Sequence, residues 1–342
     1  METTNKRTSW IDVAKSIGMI LVVIGHSNPP AFLLRVIASF HMPLFFFLSG
    51  LVYSTKRSFP KRIANDVRYI LIPYIKTVLL LVLFHIINNL IGRSSYYDSL
   101  SSLFKAALFG SGTGYNNIKL IGEIWFLLAL FWAKRILDGI ITAPSIKYQT
   151  LLVVACVMAS IVMAKSGTWL PTNIDIAFYA VGFLYAGYYL KDHLCIFDNV
   201  YVTILLFLMC VLYFNTTTLG MADRNYYKYW YISFGGSLAM ILLFCTFCKQ
   251  LDRIKPLGHF LSSLGRHSLL ILCVTSMDWR MPFLRPGYAF IVRYNQQPWY
   301  WLLNATHRFI FDLIITMLIL FIESRINQML SRFTQNQRGK RI

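Results

Sequence analysis

Ten apolar stretches follow one another along the chain, at about residues 10–27, 36–54, 69–91, 119–138, 149–165, 174–190, 196–214, 229–248, 265–280 and 306–324. A helix needs roughly 20 apolar residues to cross a hydrocarbon core about 30 Å thick. In lipid the backbone must satisfy its own hydrogen bonds, so helices are the natural spanning unit for runs of this length. The sequence therefore predicts an all-α, polytopic transmembrane bundle of about ten membrane-spanning helices, built as one domain over residues 1–342. Composition agrees, since only 14% of residues are charged against roughly 25% in a typical soluble domain. The first stretch carries Asp12 and Lys15 and no small-residue cleavage site, so it reads as a retained span rather than a signal peptide.

The formal net charge of +19 raises the question of nucleic acid, but basic residues in a polytopic chain first reflect the positive-inside rule. With the N-terminus inside, 20 of the 33 Lys and Arg fall on inner segments and 11 on outer ones, with Lys15 and Lys76 inside helices. That bias predicts N-in and C-in and removes the need for a nucleic-acid partner. One outer segment, 280–308, opposes it with Arg280, Arg285, Arg293 and Arg308. Either that stretch binds something anionic or the topology is different there. Its `QQPWYW` run, with Trp299, Tyr300 and Trp301, reads as an interfacial aromatic belt, although rings beside arginine also suit a carbohydrate. The six cysteines fall mostly within apolar runs, and Cys245 and Cys248 have no second pair at metal-ligand spacing, so no metal site is expected.

Ionisable side chains inside a span are costly and need a partner, a wet cavity or a function. Asp12, Lys15 and His26 share one helical stripe, 12, 15, 19, 22, 26, and so face the bundle together. At 1.5 Å per residue Asp12 and His26 stand about 21 Å apart and cannot touch. Asp12 is expected to pair with Lys15 instead. The predicted topology brings His41 and Glu123 to the depth of His26, and a carboxylate beside an imidazole equips it to take a proton from a hydroxyl. A hydrogen-bonded structural histidine at a helix end is the plainer alternative. On the inner side `TKRSFPKRIANDVRYILIPY` holds Lys56, Arg57, Lys61, Arg62 and Arg68. Such a cluster suits lipid headgroups, or the phosphates of a cytosolic cofactor, for which the arginine fork is well shaped.

The blocks `WIDVAKSIGMILVVIGHS`, `FHMPLFFFLSG`, `KRIANDVRYILIPY`, `EIWFLLALF` and `LGRHSLLIL`, in that order, resemble the acyltransferase family 3 membrane proteins, which O-acylate carbohydrates of bacterial envelopes. The chain is most similar to the compact branch without a second soluble domain, which includes enterobacterial-common-antigen and fucose-type sugar O-acetyltransferases. The resemblance implies a multi-pass enzyme of the bacterial inner membrane that moves acetyl from acetyl-CoA to a hydroxyl of a glycan or lipid-linked sugar, among membrane lipids. It implies a catalytic role for His26, places Asp12 on the acidic residue of the family's opening motif, and puts His41 in the `FHMP` of one branch. Glu123 stands just before the matched `WFL`. Arg68 matches the basic residue before the family's `P-Y`, with Arg62 and Lys61 in the same basic loop and Lys15 where many members carry arginine, so these four are the expected cofactor-binding residues. Ser49 and Gly50 match the family's `SG`. Many members also place a histidine after the `SLLIL` segment, where this chain has `CVTSMDW` and only Asp278 to substitute. A glycan exporter without enzymatic activity, or the same fold using succinyl or a longer acyl donor, are the alternatives.

Overall fold

The apolar stretches fold as helices close to where hydropathy puts them. The structure is a computed structural model that describes residues 9–92, 96–111, 118–281 and 285–339. Its helices are α1 (Ser9–Gly25), α2 (Ala31–Ala38), α3 (His41–Leu51), α4 (Phe59–Asp66), α5 (Ile72–Leu90), α6 (Leu100–Phe109), α7 (Trp125–Ile140) and α8 (Ile146–Ser166). They continue as α9 (Ile174–Leu190), α10 (Val200–Thr216), α11 (Trp230–Arg253), α12 (Lys255–Arg266), α13 (Ser268–Arg280), α14 (Tyr288–Val292) and α15 (Tyr300–Gly339). The fold is all-α and polytopic. By length and composition Ala31–Leu51, Phe59–Leu90, α8 and α11 suffice to cross a membrane, and α12 with α13, bent by 67°, makes a fifth. Lys6, Arg7, Arg93, Lys340 and Arg341, counted in the charge bias, lie outside the described residues.

Proline sets several of the breaks. Pro30 precedes α2 and Pro60 opens α4, positions where a missing backbone N–H leaves no helical bond unmade. Pro73 sits inside the long Phe59–Leu90 run. Just before it, Val67–Leu71 winds as a π-helical turn, with the Ile72 N–H reaching back to the Val67 carbonyl. The ladder defect that proline imposes is absorbed by one wider turn, and Arg68 lies in that turn.

The centre is held by close helix approaches. α9 packs against α3, α7 and α8, while α1 packs against α11 and α12. Gly50 of α3 and Gly187 of α9 face one another's backbones: a Cβ on Gly50 would stand 2.8 Å from the Tyr188 nitrogen, and one on Gly187 3.1 Å from the Leu51 nitrogen. Small residues that let two backbones meet are the usual helix-pairing device where lipid supplies little hydrophobic drive. By contrast α8 and α10 bury few side chains and expose Leu151, Leu205, Phe207 and Leu208, the face expected toward acyl chains.

Candidate functional site

Two cavities are stacked along the same three elements. The smaller one, of about 300 Å³, is lined by His26, His41, Met42, Glu123 and Trp125. His26 follows the last turn of α1, its N–H bonded to the Val22 carbonyl. His41 opens α3, and Glu123 stands two residues before α7. The His26 Nε2 lies 3.4 Å from a Glu123 carboxylate oxygen, with Glu123 buried and His26 39% exposed. Among the described residues no donor meets either Glu123 oxygen in hydrogen-bonding geometry. A buried carboxylate with that much unused acceptor capacity is suited to receive charge that develops on its neighbour. His41 donates from Nδ1 to the Ile37 carbonyl at 2.7 Å, which leaves Nε2 unprotonated in the neutral ring.

The larger cavity, of about 890 Å³, lies on the other side of Met42. Its lining is mixed: the ionisable side chains are Lys15, Arg68, Lys76, Arg266, His267 and Glu323, and the apolar ones include Met19, Phe45, Phe126, Leu127 and Leu130. Arg68, Lys76, Arg266 and His267 are exposed, whereas Met19, Met42, Phe126 and Leu127 are buried. α1 contributes Lys15 and Met19 here before reaching His26 above. α3 runs from His41 through Met42 to Phe45 and Ser49, and Glu123 and Trp125 above give way to Phe126 and Leu130 below. Met42 lines both cavities.

The remaining expected residues fall elsewhere. α1 is unbroken, so Asp12 stays about 21 Å from His26 and pairs with Lys15 at 3.3 Å. Arg62 joins Asp138 at 2.7 Å, within a buried inner cluster where Asp138 also meets Arg135 and Tyr53, and Asp66 takes Lys134 and Arg135. Its guanidinium is therefore committed to the fold, and neither it nor the exposed Lys61 is among the described residues lining the large cavity. Of the four expected cofactor ligands, Lys15 and Arg68 line it.

The arginine excess of segment 280–308 has an explanation the sequence reading did not include. Arg308 is buried, donating from Nε to Asp278 at 2.7 Å and from a terminal nitrogen to the His26 carbonyl at 2.6 Å. Arg285 meets the other Asp278 oxygen at 2.8 Å and Asn304 at 3.1 Å. Arg280 donates to Tyr97, Ser276 and the Leu120 carbonyl, with its guanidinium flat against Gly122, where a Cβ would stand 2.7 Å from the Arg280 Cζ. Gly122 also has φ +81°, a backbone that other residues rarely adopt. Asp278 does not reach the imidazole; it holds the arginine that holds the His26 backbone. Arg308 and Arg280 were thus legible only as anomalies of charge, and their role as clamps beneath His26 and beside Glu123 needed the helix packing.

A family model described as an acyltransferase domain matches residues 8–322. The chain belongs to acyltransferase family 3 and is a membrane acyltransferase. Neither the comparison with curated proteins nor that with solved structures returned a match.

Proposed function

We propose that the protein is an O-acetyltransferase of the bacterial inner membrane that moves acetyl from cytosolic acetyl-CoA to a hydroxyl of a cell-envelope glycan. The observation that carries this reading is the stacking of a cavity with exposed basic and buried apolar side chains against the one that holds the His26–Glu123 pair, with Met42 lining both. A cofactor with anionic phosphates at one end and a thioester on a long arm at the other matches that lining. Arg68, Lys15 and Arg266 hold the phosphates, the arginines by paired charge-assisted bonds, and the arm runs along Phe45 and Phe126 toward Met42.

At the smaller cavity His26 takes the proton of the sugar hydroxyl as its oxygen attacks the thioester carbonyl. Glu123 stabilises the imidazolium that results. The C–S bond breaks, the ester forms, and the proton passes from His26 to the departing CoA thiolate. Burial of Glu123 makes its charge count for more than it would in water.

The test is transfer of labelled acetyl from acetyl-CoA into glycan in membranes carrying wild type or His26→Ala at matched levels. Label is expected only with wild type, a loss of at least about 100-fold if the base is removed. Equal labelling by both removes His26 from the chemistry. Arg68→Ala is expected to raise the KM for acetyl-CoA about tenfold with kcat changed far less, as loss of a ground-state phosphate contact does.

A further inference from the structure

A third cavity, of about 530 Å³, lies on the outer side and includes Asn28, two residues beyond His26. Its polar lining is made of amides: Asn28, Asn295, Gln296 and Gln297. Its rings are Tyr288, Tyr300 and Trp301. Among the described lining residues there is no Lys, Arg, His, Asp or Glu, in a chain whose net charge is +19. Each side-chain amide offers both donors and an acceptor, which is what a sugar hydroxyl needs, since it does both. Aromatic faces complement the C–H faces of a pyranose. The volume lies within the range of small-ligand sites.

The cavity is also fixed relative to His26. Tyr300 and Trp301 begin α15, the helix that about 12 Å further on presents Arg308 to the His26 carbonyl. The turn leading into α14, which Tyr288 opens, is tied to the same helix twice, by Arg285 to Asn304 and by the His307 ring donating to the Pro286 carbonyl at 2.7 Å. Arg285 packs under the Tyr288 ring, 4.7 Å from its centroid, while bonded to Asp278. One buried ion network therefore sets both the cavity wall and the backbone of His26. Trp299 is turned away, 47% exposed beside Tyr294, as a membrane-belt residue would be.

We propose that this cavity is a subsite for uncharged sugar residues, which grips the glycan next to the unit presented to His26. This rests on the acetyltransferase reading for the identity of the acceptor, but the binding itself does not require it. The probe set is neutral oligosaccharides of hexose, deoxyhexose and N-acetylhexosamine, with oligogalacturonate as the acidic counterpart, added to the purified full chain and read by saturation-transfer NMR. A neutral member is expected to receive saturation from the aromatic side chains and oligogalacturonate is not. Trp301→Ala and, separately, the exposed Gln297→Ala are expected to weaken that binding at least tenfold, and His26→Ala to retain it. No saturation transfer to any neutral probe, or equal transfer in both cavity variants, overturns the subsite. Sugar binding intact but no acetyl transferred by wild type would overturn the enzymatic reading and leave the subsite standing.

Discussion

At the scale of single residues, Met42 carries the sharpest consequence. Among the described residues it alone lines both stacked cavities, so on the proposed reading a donor arm entering from the basic end meets its thioether just before His26. An apolar wall discriminates one methylene by about 10- to 200-fold. Met42→Ala is therefore expected to raise the ratio of kcat/KM for butyryl-CoA over acetyl-CoA about tenfold, read across a series of acyl-CoA donors. Met42→Trp should suppress transfer from every donor. An unchanged chain-length profile in both variants would mean that the thioester does not pass this residue. The sequence offered no hint of this role, because methionine inside an apolar run is the commonest filler of irregular gaps. His26, His41 and Glu123 were legible for the opposite reason: polar groups at matching depth in greasy segments are costly, and each had to be explained.

Among the helices, hydropathy found the apolar runs that fold as α-helices, and four of these, or five with the bent α12–α13 pair, are long and apolar enough to cross a membrane where about ten spans were expected. It missed α6, which lies in the stretch read as an outer connection and interrupts its apolar residues with Lys105. It also could not foresee that the ninth stretch, which folds as α13, joins a preceding helix, α12, at a bend of 67°. The `SG` of the resemblance acquires a physical meaning at α3 and α9, where Gly50 and Gly187 interlock. A methyl group there must push two backbones apart, and overpacking of this kind costs about 1–3 kcal/mol. Gly50→Ala is expected to lower the thermal midpoint in detergent, with Gly187→Ala doing the same and the double variant less than additive, since both force open the same contact. Arg68 owes its place to Pro73: the sequence showed the basic residue and the proline, while the π turn that joins them emerged only from the helix.

Over the whole molecule, three of the four arginines that broke the positive-inside pattern, Arg280, Arg285 and Arg308, turned out to be internal ties, while Arg293 is exposed. Asp278 receives Arg285 and Arg308 on separate oxygens, Arg308 holds the His26 carbonyl, and Arg224 pairs with Asp175 in another buried contact. Counting charges by segment cannot distinguish an arginine in a loop from one buried against a carboxylate, which is why the outer side looked anomalous. Removing one member of such a cluster leaves buried charge uncompensated, at a cost of about 3–5 kcal/mol. Asp278→Ala is thus expected to destabilise the protein severely, while Asp278→Asn should fold and reduce activity through displacement of His26. Measuring the thermal midpoint and acyl transfer together separates the two effects, and full activity in Asp278→Asn would uncouple this network from the site.

The two stacked cavities also have an electrical meaning. Where space for water approaches from both faces, the membrane potential falls mainly over what is left between, here the layer around Met42. A whole charge crossing the full potential exchanges about 2.3 kcal/mol per 100 mV, so a drop of about 60 mV across that layer alters a charge-moving step up to tenfold. The proton transfer proposed for His26 would take place at the edge of this layer. Turnover in sealed proteoliposomes should then depend on an imposed potassium diffusion potential.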